Sequence, residues 1–331
     1  MAGSHKVQAT PTNPDASPLT RSENRELKRV AREVRRDILL TTFAANAGHP
    51  GGSLSETEIL VSLYHRILRH DPKNPSWPDR DRFVLSKGHA TPGFYAVLAT
   101  RGYFPRKELN GFRRIDSLLQ GHTKVGIPGV EMSAGSLGQG LSFSIGVALA
   151  CRLDSRPSHT YVLLGDGECD EGQVWEAAMS AAHYKVDTLT AIVDRNGIQN
   201  DRFVSQVMEI EPFAAKWRGF GWRVIQAQGH SFPSLQRAFA RAHQTKGQPT
   251  VIIAQTMKGK GVSFMEDNPD FHGKPPNKEQ FVQAMEELGY TGDGLVREMR
   301  GFGLSDETIT DVLKAVGQPG PASAVRAGVT R

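Results

Sequence analysis

TYVLLGDGECDEGQVWEAAMSAAHYKVDTLTAIVDRNG, residues 160–197, is the stretch whose reading decides the fold. TYVLLG (160–165) is a short apolar run that stops at a glycine and reads as a strand. EGQVWEAAMSAAHY reads as a helix, and TLTAIVD (188–194) as the next strand. Asp166 ends the first strand, and Asn196 of DRNG (194–197) follows the second, so one βαβ unit sets them side by side at the carboxyl edge of a parallel sheet. Between them Asp166, Glu168, Asp170 and Glu171 crowd four carboxylates into six residues, which asks for a positive charge among them.

Simpler readings of GDGECDEG fail on spacing. Gly-Asp-Gly alone is a common turn. A calcium loop would need Gly where Glu171 stands and Glu where Ala177 stands. A dinucleotide fingerprint would need a third glycine where Asp170 stands. An Asp carboxylate, an Asn side-chain carbonyl and a backbone carbonyl just beyond form a hard oxygen site. Such a set suits Mg²⁺ (Ca²⁺ or Mn²⁺ as substitutes), which takes few protein ligands and completes its shell with phosphate and water. Gly165 and Gly167 allow the backbone close to a phosphate, and the helix from Glu171 offers an anion its positive end.

The same alternation continues outward. RFVLS, WRVIQAQG and PTVIIAQT read as further strands, and SFPSLQRAFARAHQ as a helix between the last two. A helix begins near Glu23, with Leu27, Val30, Ala31, Val34, Ile38 and Leu39 at helical spacing. Ser55 and Glu58 form a capping-box pattern before TEILVSLYHRIL. GLSFSIGVALACRL reads as a helix buried nearly all round. The expected class is α/β, a doubly wound parallel sheet with helices on both faces. Residues 1–20 and 317–331 read as flexible ends, 21–290 as the main domain and 291–316 as a helical segment.

Composition narrows the class. The chain has 331 residues, 38% apolar and 23% charged, enough for a sizeable core. No apolar run is long enough for a membrane span, and the first residues lack a signal-peptide core. Cys151 and Cys169 have no metal or redox spacing, which suits a reducing compartment and a cytoplasmic protein. The net charge of +5 comes with scattered Lys and Arg and no nucleic-acid-binding motif.

GDGECDEGQVWEAAMSAAHYKVDTLTAIVDRNGIQN resembles the thiamine diphosphate motif, GDG followed about 30 residues later by Asn. AGHPGGSLS (47–55), VLSKGHATPGFYAVLATRGYF (84–104), GHTKVGIPGVEMSAGSLGQGL (121–141) and TMKGKGVSFMEDNPDFHGKPP (256–276) stand around it in the order of the transketolase family, over about residues 22–290. The resemblance implies that Asp166, Asn196 and the Ile198 carbonyl hold the metal. It implies that Gly167 meets the diphosphate, that Gly135, Ser136 and Leu137 lie against the cofactor rings, and that Lys258, His89 and His272 reach the cofactor. His49, His89, His122 and His272 would ring the reacting carbon, where hydroxyl protons must leave and return near neutral pH. Glu171 would lie at a subunit contact, whereas Glu168 and Asp170 read as solvated or helix-end charges. His5, His65, His70, His159, His183 and His243 read as surface or packing residues. His230 and Gln228, where the family usually has an acid, receive no role.

No second doubly wound domain fits after residue 290, and no glutamate matches the one that activates the family's cofactor. The resemblance therefore implies the N-terminal subunit of a split transketolase. A partner chain would supply that glutamate, two copies of each chain would assemble, and the substrates would be sugars or sugar phosphates. Alternatives are a subunit of another thiamine diphosphate enzyme (1-deoxyxylulose 5-phosphate synthase-like or a 2-oxo acid dehydrogenase alpha chain) or a non-catalytic cofactor-binding homologue.

Overall fold

The computed structural model describes residues 17–318, so the readings made for residues 1–16 and 319–331 lie outside the described residues. The chain opens with α1 (Arg21–Ala45), α2 (Pro50–Ser55) and α3 (Thr57–Ser62), then β1 (Arg82–Leu85), α4 (Thr91–Arg101) and α5 (Gln139–Leu153). The central unit is β2 (Thr160–Gly165), α6 (Gly172–His183) and β3 (Leu189–Arg195). A small hairpin, β4 (Ile198–Gln199) and β5 (Arg202–Phe203), leads through α7 (Val204–Val207) and α8 (Phe213–Gly219) to β6 (Arg223–Gln228). Then come α9 (Phe232–Gln244), β7 (Thr250–Gln255), α10 (Lys278–Glu287), α11 (Gly292–Phe302) and α12 (Asp306–Ala315).

The five long strands form one parallel sheet in the order β1-β2-β3-β7-β6. Strand residues alternate between the two faces. Phe83, Tyr161, Leu163, Ile192 and Ile252 enter the core under α1, α4 and α9. Val84, Val162, Leu164, Ala191, Val193 and Ile253 enter the core under α5 and α6. Both faces are covered, which is why the strands read as unbroken apolar runs rather than alternating ones.

Register then places the loops. Gly165 pairs with Asp194, and Arg195 with Gln255, so GDG, DRNG and the segment after β7 leave the sheet at one edge. The doubly wound parallel sheet agrees with the sequence reading. Two local expectations do not. Ser55 and Glu58 make no capping box: a helix starts at Pro50, Ser55 Oγ donates to Asp194 Oδ2 at 2.5 Å, and Glu58 binds Arg35. The tertiary partners outcompete the local cap. Likewise, α5 is not buried all round, since Phe143 and Leu153 are exposed along one side.

Candidate functional site

Asp166 and Asn196 meet across β2 and β3 as the spacing requires. Asp166 is buried; its carboxylate accepts from the amides of Gly167 (2.9 Å) and Gly197 (2.6 Å) and from Arg195 at 3.3 Å. Asn196 Oδ1 accepts from the Ile198 amide at 3.1 Å, and the Ile198 carbonyl accepts from Lys258 Nζ at 3.3 Å. Burial, with Asp194 close by, raises the Asp166 carboxyl to about 6. A buried acid in that state gains from a cation.

These groups line a cleft together with Gly52, Lys87, His89, Leu137, Gly165, Gly167 and His272. Gly167 is cradled: a Cβ there would stand 2.7 Å from the Gln199 side chain, whose own Oε1 is buried without a partner. The lining stops at Glu168, so the backbone facing the cleft is the 3₁₀ turn Gly167–Asp170 and not α6. This turn stands between GDG and the start of α6 at Gly172. A larger open depression of about 340 Å³ beyond Arg195, lined by Gln226, Gln228 and Gln255, holds no histidine and none of the expected set.

Three of the four expected histidines pack in a triangle. Ring centres are 5.0 Å apart for His49 and His89, 5.2 Å for His49 and His272, and 5.1 Å for His89 and His272. Burial, followed by the charge of His122, lowers His49 to about 4; burial and Lys258 lower His272 to about 3. Burial and Lys87 take His89 well below its ordinary value. All three are therefore neutral imidazoles at neutral pH, each with one nitrogen that accepts a hydrogen bond and one N–H that donates. Lys258 Nζ donates to His272 Nδ1 at 2.7 Å, which leaves the His272 ring proton on Nε2. Burial and Lys87 lower Lys258 itself to about 8.

His122 is exposed, and a Cβ on Gly135 would stand 3.6 Å from its ring. Gly135 and Ser136 are exposed, while Leu137 reaches the cleft. Glu171 is exposed beside Gly138, where a Cβ would meet its side chain at 2.9 Å. Five further histidines serve packing or solvent: His65 bonds Thr100, His70 bonds Tyr103, His159 bonds Thr190, the His243 ring lies tilted 5.4 Å from that of His159, and His183 is exposed. His5 lies outside the described residues.

One carboxylate was misread. Glu168 is buried, accepts from the Ser86 hydroxyl, and takes the amides of Gly138 and Gly165 at 2.9 Å each. It ties the GSLGQG loop to β1 and to GDG. Lys87 was missed altogether, although SKGHA sets it two residues before His89. Its Nζ sits 2.5 Å from Asp194, 3.1 Å from Glu56 and 3.0 Å from the Gly52 carbonyl. It neutralises the buried Asp194 at the end of β3, whereas the cation on Asp166 is Arg195 at 3.3 Å.

Among the described residues no three His, Cys, Asp or Glu side chains gather as a metal cluster. That accords with a set of one carboxylate, one amide oxygen and one backbone carbonyl, which leaves other positions to phosphate and water. The cradle at Gly167 and the Lys258 ammonium fit a diphosphate, and the unpartnered Gln199 oxygen, an acceptor, fits the accompanying cation or its water.

Residues 28–298 match the family described as transketolase, thiamine diphosphate binding domain. The 6-deoxy-6-sulfo-D-fructose transketolase subunit SqwG of Clostridium sp. (strain MSTE9) is 41% identical over 268 residues, covering 81% of this chain and 98% of that protein. An apulose-4-phosphate transketolase subunit from Actinobacillus succinogenes is 42% identical over 265 residues, covering 80% of this chain and 96% of that protein. The transketolase structure from Campylobacter jejuni superposes with a TM-score of 0.76 at 30% identity, covering 89% of this chain and 49% of that one. The chain spans about half of that structure and nearly all of the two relatives. With the GDG–Asn edge and the imidazole triangle, these matches place the chain in the transketolase family, as its thiamine diphosphate-binding N-terminal unit.

Proposed function

We propose that this chain is the diphosphate-binding subunit of a two-chain transketolase, moving a two-carbon ketol unit from a ketose to an aldose. The observation that carries the reading is the imidazole triangle beside the Asp166–Asn196 edge. Asp166, Asn196 and the Ile198 carbonyl would hold Mg²⁺, and Lys258 with the Gly167 turn would hold the diphosphate. When bound, thiamine diphosphate supplies the electron sink for breaking and making the C–C bond. His49, His89 and His272 would hydrogen-bond the sugar hydroxyls and pass their protons, each neutral ring offering one donor and one acceptor, and the exposed His122 would join them from outside the triangle.

The partner chain would bring the activating glutamate, and two copies of each chain would assemble with Glu171 near the contact. The relatives act on a sulfosugar and a sugar phosphate by name, so ketoses with an anionic terminus are the substrate class to test first. A cytoplasmic site of action accords with two free, buried cysteines. The test is a ketose-to-aldose transfer assay on the purified chain, on its C-terminal-type partner and on their mixture. Activity in the mixture alone supports the reading; full turnover by the single chain, or decarboxylation of pyruvate in place of ketol transfer, overturns it.

A further inference from the structure

Lys258 and His272 sit on the long segment after β7, and what holds that segment is a buried relay outside the cleft. Arg35 of α1 grips Glu58 with both terminal nitrogens, at 2.6 and 2.9 Å, and its Nε donates to the Lys260 carbonyl at 2.8 Å. Glu58 Oε2 accepts from His230 Nδ1 at 2.8 Å. The Met257 amide in turn donates to His230 Nε2 at 2.9 Å. An amide donor at Nε2 requires a lone pair there, so the single ring proton lies on Nδ1, facing Glu58. Beside this relay the Gly259 amide donates to the Gly51 carbonyl at 3.0 Å, the Asp267 amide to the Lys258 carbonyl at 3.0 Å and the Thr256 amide to the Arg195 carbonyl at 3.2 Å. The backbone is thus fixed at 257, 259 and 260, on both sides of Lys258.

This hold has little slack. Gly259 has φ +78°, and a Cβ there would lie 2.1 Å from the Met265 carbonyl oxygen; at Gly261, φ +98°, it would lie 2.9 Å from the Arg35 side chain. Arg35 and Glu58 are both buried, and Glu58 is held down to about 2 because, against its burial, Arg35 and His230 favour the charged form. A charged pair sealed in this way anchors the imidazole from behind.

We propose that His230, oriented by Glu58 and Arg35, is a positioning residue that aims Lys258 at the cofactor diphosphate by clamping the Met257 amide. The inference rests on the assignment of Lys258 to that group. The two ring nitrogens can be tested separately, because Asn mimics Nδ1 and Gln mimics Nε2. His230→Asn keeps a donor for Glu58 and loses the acceptor for Met257; His230→Gln keeps the acceptor.

Hydrogen exchange on the full chain should rise in peptides covering 256–262 for His230→Asn and remain near wild type for His230→Gln, with melting temperatures alike. Calorimetry with thiamine diphosphate and Mg²⁺ on the assembled enzyme should show affinity about tenfold weaker for Asn and little changed for Gln. Turnover at saturating cofactor should be retained in both. Wild-type exchange in His230→Asn, or Gln behaving as Asn does, overturns the clamp. Faster exchange with unchanged affinity, while Lys258→Ala weakens binding, overturns the link from clamp to lysine. Unchanged affinity in Lys258→Ala overturns the assignment of Lys258 itself, a result separate from the exchange measurement.

Discussion

Lys87, Asp194 and Glu56 show how a buried cluster chooses its charges. Asp194 is held below its ordinary value because, against its burial, Lys87 and the hydroxyls of Ser55 and Thr256 donate to it. Lys87 and Asp194 cancel, so a second ionised acid would leave net charge in the interior. Burial, with Asp194 opposing Lys87, therefore raises Glu56 to about 8, and it keeps its proton at neutral pH. A folded pKa raised above the ordinary 4.5 contributes stability present below pH 4.5 and lost as pH rises toward 8. Glu56→Gln, which resembles the protonated acid, should flatten the fall in melting temperature across that window, as thermal scans at several pH values would reveal. Asp194→Ala, which removes the acceptor of Ser55, Thr256 and Lys87 and leaves Lys87 to Glu56, should destabilise the fold by about 1–3 kcal/mol in denaturant unfolding and make Glu56 ionise at lower pH. At the triangle, His272→Ala should lower turnover of the assembled enzyme by about 10²-fold with the melting temperature unchanged. A full-rate variant would remove His272 from the mechanism.

At the scale of elements, close approach sets the cleft. Gly140 in the first turn of α5 lies against β1, and a Cβ there would come within 2.4 Å of the Ser86 hydroxyl and 2.8 Å of its Cα. Ser86 also holds Glu168, so α5, β1 and the GDG turn share one junction. Gly140→Ala should therefore destabilise the fold by about 1–3 kcal/mol, the usual cost of overpacking, in urea melts. Gly167→Ala acts differently. It meets a side chain on the rim of the cleft rather than in the core, so cofactor affinity should fall while the unfolding midpoint stays near wild type. A midpoint that drops as far as for Gly140→Ala would place Gly167 in the structural frame instead.

The whole molecule leaves one side of the α5–α6 layer open. Phe143, Leu153, Met179 and Tyr184 are exposed there, and a Cβ on Gly146 would have nothing within 4 Å. Large exposed apolar residues gathered on one layer mark an interaction surface. Gly146→Arg should leave the isolated fold intact, with unchanged circular dichroism and melting. It should shift the assembled enzyme toward one copy of each chain in light scattering. An unchanged assembly mass would move the contact to another face.

Residue type and spacing by themselves determined the strand and helix order, the parallel sheet and the meeting of Asp166 with Asn196. Those follow from apolar periodicity and from one βαβ geometry, both local properties of the chain. The glycine-flanked histidines were legible for the same reason, through motifs whose order is written in one dimension. Which carboxylates are buried was not legible. Glu168 looks like a helix-end charge in the sequence and Glu58 like part of a local cap, and only packing shows that Ser86 reaches the first, Arg35 and His230 the second, and Lys87 the buried Glu56. The exposed side of α5 was misread because an apolar helix looks the same whether its cover is its own sheet or another surface. Partners far apart in the chain decide a buried charge. Tertiary structure alone brought Arg35, Glu58, His230 and Met257 into one relay.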